Sequence, residues 1–390
     1  MKLNHGLHLA YCTNIHRGES WTEIFAALQE YTLAVRERVC PDAPYAIGLR
    51  LSDRASQELS NPATLNAFRK WLDQHHCYVF TINGFPFGRF HGGPVKEKVY
   101  SPDWTSMERV AYTNRLFDLL AQIVPKGVEG SVSTVPGSFK EFITTPEQVK
   151  AIRNNIFQCV EHIARVSEQS GRKLHLGLEP EPLCLLETTH ETVHFFDRLR
   201  CEHPHDPRLF EYLGVNYDAC HLAVEFEEPQ AAIQELQQHQ IKISKLHLSS
   251  ALKAIPTAEV RQALASFSDD VYLHQVVARD ANARLTRFKD LPAALAHASG
   301  EEWRIHFHIP LHSPPTGLFG NTTDHLLGLI DILGENPALC CHLEMETYTW
   351  EVMPPTMKNR SVVEQLVGEY DWCLKRLAEK GLVTLAAQAA

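Results

Sequence analysis

A chain of 390 residues that is 44% hydrophobic and 22% charged has the composition of a globular protein with a sizeable core. Its formal charge of −10 argues against a nucleic-acid backbone as partner, because that contact calls for a basic patch. No apolar run approaches the ~20 residues that span a bilayer, so membrane insertion is not expected. The opening MKLNHGLHLAY holds neither a long apolar stretch nor a cleavage site, and no secretory signal is read there. Ten cysteines scattered without a CxxC pair suit a reduced cytoplasm and buried thiols. The surplus is in histidine, with 22 residues whose positions need an explanation.

In chain order, short β-rich runs alternate with amphipathic stretches. Strands are expected at 7–14, 45–52, 78–85, 130–137, 173–182, 213–221, 243–250 and 339–347. Between the fourth and fifth lies the clearest helix, TTPEQVKAIRNNIFQCVEHIARVSEQSG. Thr145 stands at its N-cap, Pro146 in its first turn and Gly171 at its stop. Its apolar stripe, Ile152, Ile156, Cys159, Val160, Ile163 and Val166, runs at helical spacing. Strand and helix alternate about eight times, which is the pattern of a (β/α)8 TIM barrel. An open doubly wound sheet is the competitor, but no Gly-rich phosphate loop follows the first strand.

Residues 251–338 exceed a simple unit. They carry two further extended runs, VYLHQVVARD and WRIHFHIPLH, with LPAALAHA between them. They read as a long insertion between the seventh and eighth strands, packed near the barrel mouth. No linker divides the chain, so a single domain over 1–383 is expected, with a disordered tail at 384–390.

Catalytic groups of such barrels sit at the C-terminal ends of strands. Those ends offer Glu179 in LGLEPEP, Asp218 in NYDACH, His247 in SKLHLSS, and Glu344 or Glu346 in HLEMET. A charge at the end of a buried strand needs a partner or a metal. An acid there is also commonly a helix N-cap, a role open to Asp218 as well. Carboxylates with one imidazole and no thiolate suit Mn²⁺, Mg²⁺, Zn²⁺ or Fe²⁺. Glu346 is preferred to Glu344, being nearer the loop at the mouth. Lys245 points inward by alternation, to pair with an acid below the metal or to position substrate. His306 and His308 share a strand face, and His308 is taken as a mouth residue contributed by the insertion. His91, in the Gly/Pro/Phe loop GFPFGRFHGG, would belong to a substrate-covering lid, and Asn83 ends the third strand where it could meet a hydroxyl.

The order Glu, Asp-x-x-His, His, Glu over the last four strands resembles the xylose isomerase-like barrel superfamily of sugar epimerases, inosose dehydratases and endonuclease IV-type enzymes. More narrowly, YCTN, NGFPFGRFHG, LGLEPEP, NYDACHLAVEFEEP, HFHIPLH and METYTWEVMP resemble the Ebo-type metabolite traffic proteins, which are grouped with enzymes of an exported small metabolite. The resemblance implies that Glu179, Asp218, His247 and Glu346 ligate a divalent metal and that His221 contacts substrate or metal. The implied function is a metal-dependent isomerase or epimerase acting on a sugar, cyclitol or related polyol. Glu179, Glu346 and His221 would be its catalytic groups, and His221, His308, His91, Asn83 and Lys245 would surround the substrate. A non-catalytic metabolite carrier on the same barrel, or a metal-dependent nuclease, is the alternative.

Overall fold

Runs such as YAIGLR and CYVFTIN are buried at every position, and such runs are stable only in a sheet covered on both faces. The computed structural model describes residues 1–315, 317–354, 358 and 360–385. Its first seven strands are β1 (His8–Tyr11), β2 (Tyr45–Arg50), β3 (Cys77–Asn83), β4 (Gly130–Thr134), β5 (Leu174–Leu178), β6 (Leu213–Asp218) and β7 (Lys242–Leu248). An inserted sheet comes next, formed by β8 (Ala251–Ala254), β9 (Val276–Arg279), β10 (Leu285–Phe288), β11 (Glu302–His308) and β12 (Gly320–Asn321). The last barrel strand is β13 (His342–Met345).

The eight barrel strands pair in parallel in the order β1-β13-β7-β6-β5-β4-β3-β2. A parallel bridge between Cys12 and Gly48 brings the two edges together, making a (β/α)8 TIM barrel with its insertion between the seventh and eighth strands. Helices form the outer layer. That of Pro146–Ser170 begins with Pro146 in its first turn and ends at Gly171, whose φ of 63° a side chain would strain. The run expected as strand over 213–221 stops at Asp218, which caps a short helix, Ala219–Val224. No helix among the described residues is long and apolar enough to cross a membrane.

The inserted sheet is antiparallel, in the order β10-β9-β11-β8-β12. Only Ser249 and Ser250 separate β8 from β7, so the sheet grows directly out of the barrel mouth. The helix Thr323–Glu335 returns the chain to the barrel wall, packing against the helices Pro229–Gln238 and Val362–Glu379. At the opposite end, Leu3 pairs with Thr384 and the amide of Leu385 bonds to the carbonyl of Lys2. The rest of the tail expected at 384–390, residues 386–390, lies outside the described residues.

Candidate active site and metal centre

Four of the expected residues meet at the C-terminal end of the barrel. Glu179, Asp218, His247 and Glu346 are all buried, and each places one ligand atom within 4.8 Å of the others. Nδ1 of His247 lies 3.1 Å from Glu179 Oε1, 3.1 Å from Asp218 Oδ2 and 3.2 Å from Glu346 Oε2. The other ring nitrogen, Nε2, is 2.9 Å from Glu344 Oε2. Glu344 can only accept when ionised, so it holds the Nε2 proton and leaves Nδ1 facing three carboxylates, as a proton donor while the ring is charged and as a lone pair once a cation takes that proton's place. A carboxylate behind the imidazole in this way fixes tautomer and ring orientation for a metal ligand.

Charge counting points the same way. Glu179, Asp218, Glu344 and Glu346 crowd one buried space whose one lysine is Lys245. Unpaired charge in such a place is expensive, and a divalent cation is what the donor set fits. Oε2 of Glu179 is buried with no hydrogen-bond partner. Such a carboxylate oxygen is available to a cation or a substrate proton.

The surrounding polar groups deepen the negative site. Burial opposes ionisation of Asp218, but the imidazoles of His221 and His247 outweigh it and hold the carboxyl well below its usual range. Burial likewise opposes the charge on Glu344, which Lys245 and His247 nevertheless bring down to about 2. His247 is driven well above its ordinary value because Glu346 and Glu179 overcome its burial.

Asp218 caps its helix with one oxygen and turns the other into the ring of donors. Oδ1 accepts from the amide of His221 at 3.0 Å and from Ser249 Oγ at 2.7 Å, while Oδ2 faces His247. Glu344 and Glu346 point inward as expected but at different depths. Glu346 completes the ring at the mouth, and Glu344 sits below it with Lys245. Glu344 has room only because residue 48 is glycine: a Cβ there would lie 1.9 Å from its Oε1. Lys245 donates to Glu344 and to Ser133 Oγ and does not line the cavity above.

That cavity, about 50 Å³, opens over Glu179, Glu346, His221 and Asn83. Asn83 donates to Glu346 Oε1 at 3.2 Å, and so does Asn14, at 2.8 Å. His221 uses Nδ1 to bond the carbonyl of Pro180 at 2.9 Å, which turns Nε2 towards the site, 3.9 Å from Asp218 Oδ1.

Two expected contacts stand behind the wall. His91 holds the carbonyl of Asn14 through Nε2 and the hydroxyl of Tyr272 through Nδ1, both at 2.6 Å, and so joins the lid loop to the insertion. His308 bonds the carbonyl of Glu346 at 2.9 Å, and it is His306 that lines the cavity.

Other residues of the cavity were not singled out in the sequence. Glu181, two residues beyond Glu179 in EPEP and therefore a candidate for the same face, accepts from Tyr100 at 2.6 Å. Burial pushes its carboxyl up to about 7. Asn14, just after β1, carries the signal of a strand-end polar group. Phe90, Tyr272 and Tyr348 pack together over the opening and come from three distant segments. No local pattern announces that cluster.

No protein-family model matches the sequence, and no curated protein is similar to it. Solved structures are similar in fold. A xylose isomerase-like TIM barrel protein from Mycobacterium smegmatis, solved in complex with magnesium, is 12% identical, with 97% of this chain and 99% of that one covered at a TM-score of 0.55. A D-tagatose 3-epimerase-like protein is 13% identical, with 98% and 99% covered at a TM-score of 0.50. At such identities the likeness is one of fold alone, the (β/α)8 barrel.

Proposed function

We propose that this chain is a divalent-metal-dependent isomerase or epimerase acting on a sugar, cyclitol or related polyol. The observation that carries the reading is the convergence of Glu179, Asp218 and Glu346 on Nδ1 of His247, at the floor of an open cavity. Magnesium in one fold relative and the epimerase-like naming of another support it. The short strings that resemble Ebo-type proteins add a place in making an exported small metabolite.

A divalent ion bound at the ring supplies a Lewis acid for adjacent substrate oxygens. The two strand-end glutamates are differentiated by their neighbours. Glu346 Oε1 accepts from the amides of Asn14 and Asn83, which stabilise its charge and make that oxygen a reluctant base. Glu179 Oε2 has no such donor, so Glu179 is the group that takes the proton from the carbon beside the substrate carbonyl. Glu179 then returns that proton to the product, while Glu346, across the ring, stays ionised where it would hold the cation. His221 turns Nε2 to a substrate oxygen, and the aromatic cluster of Phe90, Tyr272 and Tyr348 keeps bulk water away.

Proton transfer at carbon leaves a trace that needs no knowledge of the product. With a divalent ion present, the protein should exchange a carbon-bound hydrogen with solvent deuterium for one member of a panel of ketoses, cyclitols and their phosphates. Mass spectrometry reads the exchange. Chelator should stop it, and Glu179→Gln should abolish it even where metal is retained. Tight metal-dependent binding of a panel member without exchange would sink the enzyme reading in favour of a carrier.

A further inference from the structure

A second group of donors stands beside the first and does not belong to it. Glu181, His221 and His306 are buried, line the cavity, and each bring one ligand atom within 4.8 Å of the others. They reach this point from three elements: the loop after β5, the helix after β6 and the inserted strand β11. Pairing of β11 with β8 shifts register between Ile305 and His308, an irregularity of the kind that re-aims side chains beside functional sites.

The hydrogen bonds decide which nitrogens are free. His221 Nδ1 faces the Pro180 carbonyl at 2.9 Å and His308 Nδ1 the Glu346 carbonyl at 2.9 Å; a carbonyl only accepts, so both nitrogens carry the proton. His306 Nδ1 is 2.8 Å from Gln275 Oε1. That oxygen is an acceptor because the amide nitrogen of Gln275 is committed to the Pro182 carbonyl and the Tyr100 hydroxyl. Every Nδ1 is thus a donor, and in the neutral rings every Nε2 is a bare lone pair.

Two of these lone pairs, on His306 and His308, lie 3.3 Å apart. Two unprotonated nitrogens at that distance repel unless something positive lies between them. Two imidazoles bound tetrahedrally to one ion at ~2.0–2.1 Å have their nitrogens about 3.3–3.4 Å apart. The hydroxyl of Tyr348, also 3.3 Å from His306 Nε2, can serve that nitrogen but leaves the lone pair on His308 opposed.

We propose that Glu181, His221 and His306 form a second divalent-cation site distinct from the Glu179–Asp218–His247–Glu346 ring; His308 shares His306 with Cys220 in a separate grouping. Two imidazoles and a carboxylate are a borderline donor set suited to Zn²⁺, Fe²⁺, Co²⁺ or Mn²⁺, and exposure to the cavity leaves positions open for a substrate oxygen. A neighbouring triplet, Asp218, His221 and His308, links the two sites through Asp218. The inference rests on the proposed reading only in that His221, turned there to a substrate oxygen, acts here through an ion.

The test is metal stoichiometry in the full-length chain. Protein stripped with chelator, reloaded with Zn²⁺ or Co²⁺ and freed of excess by gel filtration should carry two ions per chain by elemental analysis. His306→Gln and Glu181→Gln should each retain one, and His247→Gln should also retain one, at the other site. Two independent variants of the second site guard against one that misfolds, and circular dichroism identifies it. One ion in the parent chain that survives both His306→Gln and Glu181→Gln would overturn the second site and leave the first standing. One ion lost in His306→Gln but kept in His247→Gln would overturn the ring instead. No bound ion in any form would overturn both.

Discussion

At the scale of single residues, the division of labour between Glu344 and Glu346 is the most instructive. The two acids share a face, so alternation alone could not separate them; depth along the barrel axis does. Glu344 lies where Lys245 and Nε2 of His247 can both reach it, and it supports the imidazole from behind the ring of donors. Glu344→Gln therefore removes the charge that orients His247 while leaving the ring of donors intact. Losing such a supporting carboxylate typically weakens metal binding about 10–100-fold. Competition against a chelator of known affinity should show that loss with stoichiometry unchanged at saturating metal. Complete loss of the ion would instead make Glu344 a direct ligand. Asp218 carries a related lesson. Its spacing to His221 suits a cap and a metal site equally; one oxygen makes the cap and the other faces His247 in the ring of donors.

At the scale of elements, the eight barrel strands were legible because each is a buried run followed by a polar or charged strand end. The inserted sheet was only partly so. Its β9 lies within one of the two extended runs expected there and β11 overlaps the other from Trp303 on, whereas β8, β10 and β12, two to four residues long, fall outside both. Runs that short show no period of their own and take their conformation from the neighbours they pair with. The aromatic cover was illegible for a similar reason, since Phe90, Tyr272 and Tyr348 meet only after the insertion folds back.

Lys96 ties that cover together alongside the His91–Tyr272 bond. Lys96 Nζ donates to the carbonyls of Asp269 and Tyr272 at 2.6 and 2.7 Å and to Asp290 Oδ2 at 2.7 Å. The amides of Val95 and Lys96 both bond the carbonyl of Val271. Lys96→Met should keep the aliphatic packing and strip the three polar contacts. Hydrogen exchange of residues 84–100 and 269–273 should then speed up while β4 to β6 keep their protection. Unchanged exchange in the two loops would mean that the backbone bonds and the His91–Tyr272 bond close the mouth without the lysine. Slower substrate entry is not expected, because the change loosens the cover rather than tightening it.

At the scale of the whole molecule, the barrel interior is layered by charge, from carboxylates at the mouth through the Lys245–Glu344 pair to neutral histidines at the opposite end. His8, His175 and His342 are buried there, bonded to Tyr78, Ser244 and Ser131 at 2.8, 2.6 and 2.8 Å. Burial brings His8 and His175 down to about 4 and His342 well below its ordinary value, and neighbouring positive groups add to the shift. An unfolded imidazole titrates near ~6.5. The unfolded chain thus takes up protons that the folded layer refuses, and by linkage stability falls as pH drops from ~6.5 towards 4. Other buried groups pull the opposite way. Glu181 and Glu369 are raised to about 7 and Glu225 to about 8, all chiefly by burial, so folding favours their protonation over the same range. The total melting curve therefore cannot isolate the layer, but a difference between two proteins can. His342→Gln keeps a hydrogen-bonding side chain and removes one titrating ring, leaving the three glutamates common to both. The variant should melt below the parent at pH 7.5, having lost packing against Phe80 and His175. That gap should narrow as pH falls from 6.5 to 4, because only the parent pays for keeping this imidazole neutral. A gap that stays constant across the range would show that His342 takes up its proton in the folded barrel as readily as in the unfolded chain.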